Sequence, residues 1–176
     1  MMTSLFKYVS PVGPLWIAAS HQAVTGLWIE GQKYFGATLE ENVKEGSLSI
    51  FDDVRTWLDG YFAGERPDSL PPLAPQGSPF RQAVWKLLLA IPYGETTTYG
   101  ALAEKLRGDG ISAAAQAVGG AVGHNPISIL IPCHRVVGAG GSLTGYAGGV
   151  TVKRKLLELE GADMTGLYLP KRRTAL

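Results

Sequence analysis

"ILIPCHRVVG", residues 129–138, holds Cys133, the single cysteine in 176 residues, and follows it directly with His134 and Arg135. A lone cysteine is most often a small buried hydrophobe. This one is preceded by a proline and followed by a histidine and a glycine-rich stretch, "GAGGSLTGYAGG" (138–149). The thiolate is the reactive form, and a free thiol with a pKa of about 8.5 needs help near neutrality. His134 can give that help only through a bridging water or a sharp turn, because neighbouring side chains of extended backbone point opposite ways. The glycine-rich stretch matches neither the dinucleotide fingerprint nor the phosphate-binding loop. One cysteine and three scattered histidines (His21, His124, His134) give no zinc spacing, so neither metal nor cofactor is expected.

Upstream, "ISILI" (127–131) reads as a short strand leading to the cysteine. Before it come two short helices. "TTTYGALAEKL" carries a threonine cap, "RGDG" is a turn, and Ser112 is placed to cap "AAAQAVGGAVG", which stops at Asn125-Pro126. Two such helices around a glycine-containing turn make a helix-turn-helix pattern, although ordinary helical hairpins look the same. The second helix is built almost wholly from Ala and Gly, and each interior glycine costs roughly 1 kcal/mol against alanine. Either tight internal packing or close approach of a partner explains that choice. Ser78 and Pro79 start a further helix with the apolar face Phe80, Ala83, Val84, Leu87, Leu88 and Ile91.

Downstream, a last helix runs from near Thr151 to Gly161. On it Val152, Leu156 and Glu160 share one stripe, which turns Glu160 inward. A negative charge in the last turn opposes the helix dipole, as do Lys153, Arg154 and Lys155 in the first turn. An inward carboxylate orienting His134, with a basic helix start left for phosphates, makes a Cys133–His134–Glu160 relay available.

The first part of the chain has a different character. "GPLWIAAS" (13–20) and "AVTGLWIE" (23–30) read as a hairpin, and Phe51, Val54, Leu58, Tyr61 and Phe62 fall at helical spacing. Five prolines in residues 67–79 then interrupt regular structure. The expected organisation is an N-terminal α/β domain over 1–70, a proline-rich linker over 71–77, a helix-turn-helix domain over 78–168 and a basic tail over 169–176. Residues 1–77 carry five Lys/Arg against nine Asp/Glu, a balance of −4, while residues 78–176 carry eleven against six, a balance of +5. The positive second part suits an anionic partner. No run approaches the roughly 18–20 apolar residues that span a membrane, and the N-terminus lacks a signal-peptide pattern. One free thiol fits a reducing compartment, the cytoplasm.

"NPISILIPCHRVVG", "TGYAGG" and "LLELEG", together with "YGETTTYGALA" and "AVGGAVGHNP", resemble the O6-alkylguanine-DNA alkyltransferases. The likeness is close over 78–161 and looser before, mainly through "LDGYFAGE". It implies an α/β (α+β) protein: a ribonuclease-H-like first domain, then a mainly helical, winged-helix-like domain with a largely buried Cys133. It implies single-use transfer of the alkyl group of O6-alkylguanine, and of O4-alkylthymine, to Cys133 after the nucleotide is flipped out of the duplex. His134 would take the thiol proton through a water, and Glu160 would orient His134. Tyr99 would protonate the departing guanine, and Asn125 would brace the active-site turn. Tyr146, Ala147 and Gly148 would line the base pocket, and Arg135 would be structural while lying against the base-binding region. The second helix, with Ala115, Gln116 and Gly119, would enter the minor groove of double-stranded DNA, bound by a monomer. A narrow groove admits only a slim helix.

Two other classes stay open from residues alone. A non-catalytic module that recognises alkylguanine would carry tryptophan at the cysteine position, which Cys133 contradicts. A thiol hydrolase would leave the DNA-binding elements unexplained. One departure from the family matters: Gln116 stands where an arginine usually replaces the flipped base. Gln116→Arg should therefore tighten binding to duplex DNA or speed repair, and unchanged values of both in a titration and a single-turnover assay would reject that assignment.

Overall fold

The computed structural model describes residues 2–171; residues 172–176 of the expected basic tail lie outside the described residues. The chain divides into two compact units. The first comprises Met1–Gln76 with Pro126–Leu130, the second Gly77–Asn125 with Ile131–Leu176.

The first unit is a four-stranded sheet with one helix. Strands β1 (Thr3–Ser10), β2 (Gly13–Ala19) and β3 (Val24–Ile29) form an antiparallel meander, and β4 (Val43–Glu45) joins the other edge of β1 in parallel. The expected hairpin is therefore β2–β3, and β1 and β4 extend it. Leu15 and Ile17 from β2, Leu27 and Trp28 from β3, and Phe51, Val54, Leu58 and Tyr61 from α1 (Ser49–Phe62) are buried as the core. Within the expected linker, Pro72 O accepts from Val24 N at 2.9 Å and Ala74 N donates to Val24 O at 2.8 Å, which lays that segment along β3.

The run 127–131 is not a strand. Pro126 O accepts from Leu27 N (2.8 Å) and Ser128 N donates to Leu27 O (2.9 Å), which makes a single parallel bridge to β3. After it the chain turns tightly. Ile129 has φ 71°, and Leu130 N closes onto Ser128 O at 2.8 Å. Positive φ is sterically costly for a β-branched residue. The apolar periodicity of "ISILI" thus reports burial, with Ile127, Ile129, Leu130 and Ile131 all at most 2% exposed, and not extended pairing.

In the second unit, Ser78 caps α2 (Pro79–Leu89) by accepting from Arg81 N (3.3 Å). Thr98 caps α3 (Tyr99–Gly108) by accepting from Ala101 N (3.1 Å). The helix α4 (Ala115–Gly123) begins later than expected: its N-cap is Ala114 with no side-chain cap, so Ser112 does not perform that role. Ser112 lies three residues before the first helical position, one turn too early for its oxygen to reach the first amides. Two-residue strands β5 (Thr97–Thr98) and β6 (Val136–Val137) pair in parallel, and α5 (Val150–Leu159) closes the unit. No helix among the described residues is long and apolar enough to cross a membrane.

The glycines of α4 differ from each other. Gly119 is buried, and a notional Cβ there would make ordinary contact with the Tyr99 ring at 3.8 Å. A Cβ on Gly120 would meet nothing within 4 Å. Gly120→Ala should accordingly stabilise the fold by up to about 1 kcal/mol through helix propensity, visible as a higher urea midpoint at unchanged m-value.

Candidate active site

Pro132 has φ −81° and ψ 63°, and Cys133 N donates to Ile131 O across it at 2.8 Å, an inverse γ-turn. Cys133 then opens a 3-10 turn, Cys133–Arg135. The backbone at Cys133 and His134 is thus a sharp turn and not extended. The Asn125 side chain reinforces it, with Nδ2 donating to Ile131 O at 2.8 Å and so tying the two ends of the loop together. Cys133 is 4% exposed.

The next two residues share one acid. His134 Nε2 bonds Glu160 Oε2, and Arg135 Nε donates to Glu160 Oε1 at 2.7 Å. Gly94 N gives the carboxylate a third bond, to Oε1 at 3.1 Å. Gly94 has φ +79°, and a Cβ there would sit 3.0 Å from Glu160 O, so the position excludes other residues. Glu160 is the C-cap of α5 and is buried. Burial alone would raise its pKa, but hydrogen bonds and charge from His134 and Arg135 together outweigh burial and hold it at about 2. Arg135 also donates from Nη1 to Ile91 O at 2.7 Å, and its guanidinium lies 5.7 Å from the Tyr93 ring centroid. The cation is turned inward onto protein acceptors, as its expected structural role requires, and no bond found for it points to the base-binding region.

Burial pushes the Cys133 thiol up, against the opposing effects of the Asn125 hydrogen bond, the Lys153 charge and local backbone amides. Burial likewise lowers the His134 pKa, and Glu160 only partly restores it. The resting site therefore holds a neutral thiol, a neutral imidazole and a carboxylate. With the carboxylate at Nε2, the neutral ring carries its proton there and Nδ1 is its basic end. Tyr99, the first residue of α3, donates from its hydroxyl to Thr144 O (3.1 Å) and Gly145 O (3.4 Å). Burial, then the nearby Cys133, raise its pKa well above the ordinary phenol value. Tyr146 is buried, its ring edge-on to His134 at 6.5 Å, while Ala147 and Gly148 are half-buried beside it. Ala115 and Gln116 stand exposed on the first turn of α4.

Lys153 was expected on a basic surface with Arg154 and Lys155. It is instead fully buried, while Arg154 is exposed and paired with Glu158 at 2.9 Å. The inward stripe of α5 runs through Lys153, Leu156, Leu157 and Glu160, one position beyond the stripe drawn through Val152. Spacing of three, four and seven residues from Lys153 was the available signal.

The family model for the DNA binding domain of 6-O-methylguanine DNA methyltransferase matches residues 79–162, and that for its ribonuclease-like domain matches residues 6–75. The chain belongs to the 6-O-methylguanine DNA methyltransferase family. Within that family, a Mycobacterium tuberculosis methylated-DNA–protein-cysteine methyltransferase is 47% identical over 160 residues, covering 89% of this chain and 93% of the relative. The Haemophilus influenzae protein of the same name is 44% identical over 162 residues, covering 90% and 88%. The crystal structure of M. tuberculosis OGT in complex with DNA superposes with a TM-score of 0.78 at 41% identity, covering 95% of each chain.

The pair His134–Glu160 has a measurable signature. The folded-state pKa of Glu160 lies below its ordinary value of 4.5, so its stabilisation is complete above that value and fades as pH falls toward 2. Between pH 5 and 2 the wild type should lose on the order of 3 kcal/mol through this group, and Glu160→Gln should be less stable at pH 7 with a flatter acid limb in urea titrations.

Proposed function

We propose that this protein repairs DNA by direct reversal, moving the alkyl group of O6-alkylguanine in duplex DNA onto Cys133, once per molecule. The observation that carries this reading is the turn itself: Cys133 opens it, and the next two residues both bind the buried Glu160 carboxylate. The fold and the relatives' printed activity support it.

In this reading the thiol proton passes, through a water, to Nδ1 of His134, whose developing positive charge Glu160 offsets. The sulfur attacks the alkyl carbon, an S–C bond forms, and the C–O6 bond breaks with its electron pair going to the base. Tyr99 gives its proton to the guanine, which leaves neutral, and the proton held by His134 balances the account. A phenol that keeps its proton at rest is suited to this, because it releases it only beside a newly formed anion. Asn125 braces the turn. Tyr146, Ala147 and Gly148 form the wall of the base pocket, and the same chemistry extends to O4-alkylthymine.

A buried thiol meets the base only if the nucleotide leaves the stack, at a cost of a few kcal/mol. The exposed first turn of α4, with Ala115 and Gln116, is the surface for the minor groove, and its small side chains fit a narrow cleft. The protein acts as a monomer in the cytoplasm, where a free thiol stays reduced.

Intact-mass measurement after incubation with duplex DNA carrying one O6-methylguanine tests the reading. One methyl per protein, mapped to Cys133 and absent from Cys133→Ser, is expected. Selective binding of the lesion duplex without an adduct would indicate a recognition protein instead.

A further inference from the structure

The helix α4 is poorly equipped to hold its own beginning. Its N-cap is Ala114, which has no side-chain oxygen to offer the first amides. A short, glycine-containing helix is marginal without outside support. Packing supplies that support further along, where Val118, Gly119, Ala121, Val122 and Gly123 are buried. Residues 115–117, the first turn, are exposed.

On the near side of the preceding turn stands Arg107, in the last turn of α3. That helix ends in a left-handed glycine cap. Gly110 has φ +79°, its N–H donates to Arg107 O at 3.0 Å, and Ile111 N donates to Leu106 O at 2.9 Å. The cap fixes where the chain leaves α3. The Arg107 side chain then spans the turn, with Nη1 donating to Ala113 O at 2.7 Å. Ala113 directly precedes the cap residue Ala114, whose own carbonyl accepts the first bond of α4, from Val118 N at 3.0 Å. Arg107 therefore grips the chain one peptide before α4 starts. A cation in the last turn of a helix also suits the helix dipole, but Lys105 in the same turn serves the dipole equally. The dipole gives no reason for a bond that reaches to the far side of the turn.

We propose that Arg107 is a positioning residue for DNA engagement: its bond to Ala113 O does the holding that a side-chain cap would do, and keeps the first turn of α4, with Ala115 and Gln116, formed before the duplex arrives. This rests on the reading that the turn meets the minor groove. Arg107 acts through the backbone of residues 113–114 and touches neither base nor phosphate. A turn formed in advance removes an ordering cost that binding would otherwise carry.

The test compares the parental protein, Arg107→Met, Ala114→Ser and the double variant, all carrying Cys133→Ala so that a duplex with one O6-methylguanine binds without reacting. Arg107 and Ala114 are both exposed, so each variant should fold. Two quantities are read: hydrogen exchange of the Val118 amide in the free protein, by NMR, and duplex affinity across a salt series. Arg107→Met should speed Val118 exchange and weaken binding by about three- to fivefold, the scale of one hydrogen bond from a charged donor. The slope of log affinity against log salt should stay the same. Ala114→Ser supplies a capping oxygen and should raise affinity more in the Arg107→Met background than in the parental one. Unchanged Val118 exchange, unchanged affinity, or equal effects of Ala114→Ser in the two backgrounds would overturn the proposal. A salt slope reduced by about one would overturn it too, because Arg107 would then be a phosphate contact. Failure of the parental protein itself to bind the duplex would instead reject the underlying reading, and Val118 exchange would still show whether Arg107 holds the turn.

Discussion

The Glu160 carboxylate is the contact on which the second unit's chemistry depends. Three groups from two segments converge on it: Gly94 N from the turn after α2, and two successive residues of the cysteine turn, His134 and Arg135. A carboxylate capping the C-terminus of a helix sits at the wrong end of the dipole. Here Arg135 neutralises it, and the same arginine reaches back to Ile91 O. A buried charge of this kind is tolerable only when every lone pair is used and a counter-charge is adjacent. Glu160 accepts three bonds and has Arg135 beside it, and the bond to Nε2 gives the imidazole one orientation and one preferred tautomer. The position of the thiol follows, because Cys133 precedes His134 in the same turn.

The burial that gives this arrangement its rigidity also keeps it quiet. A dry site disfavours every separated charge, so thiol and imidazole rest neutral and the phenol keeps its proton. The same dryness magnifies each dipole and ion once charge begins to move. Reactivity is thereby tied to the arrival of a substrate that fills the space and takes a proton.

Much of the site was legible in the sequence because its logic is local. Cys133, His134 and Arg135 are contiguous, and Glu160 was placed inward by its spacing from Leu156. What stayed hidden depends on neighbours distant in the chain. Lys153 reads as a surface cation because it sits between charged residues, and only carbonyls from Val136 and Thr144 make its burial tolerable. Arg135 reads as structural from its motif, but its acceptors, Ile91 O and Glu160, are distant in the chain. In the first unit, β1 carries Lys7, Tyr8 and Ser10 among its apolar residues and so lacks a clear two-residue alternation, whereas β2 and β3 announce themselves by density of β-formers. The run "ISILI" misled in the opposite direction. Hydrophobicity without partners on both edges signals a buried passage as readily as a strand.

That passage bears on how the chain can be cut. Residues 126–130 leave the second unit after Asn125, pair with β3 of the first, and return at Ile131. The proline-rich segment therefore looks like a hinge at which to divide the protein, yet it is not a severing point. A fragment beginning at Gly77 would keep Ile127, Ile129 and Leu130 but lose the strand beside them, leaving apolar side chains and backbone amides to water within a few residues of Cys133. In the language of chain connectivity, the two units are interlaced, and the reactive turn is the return leg of the lacing.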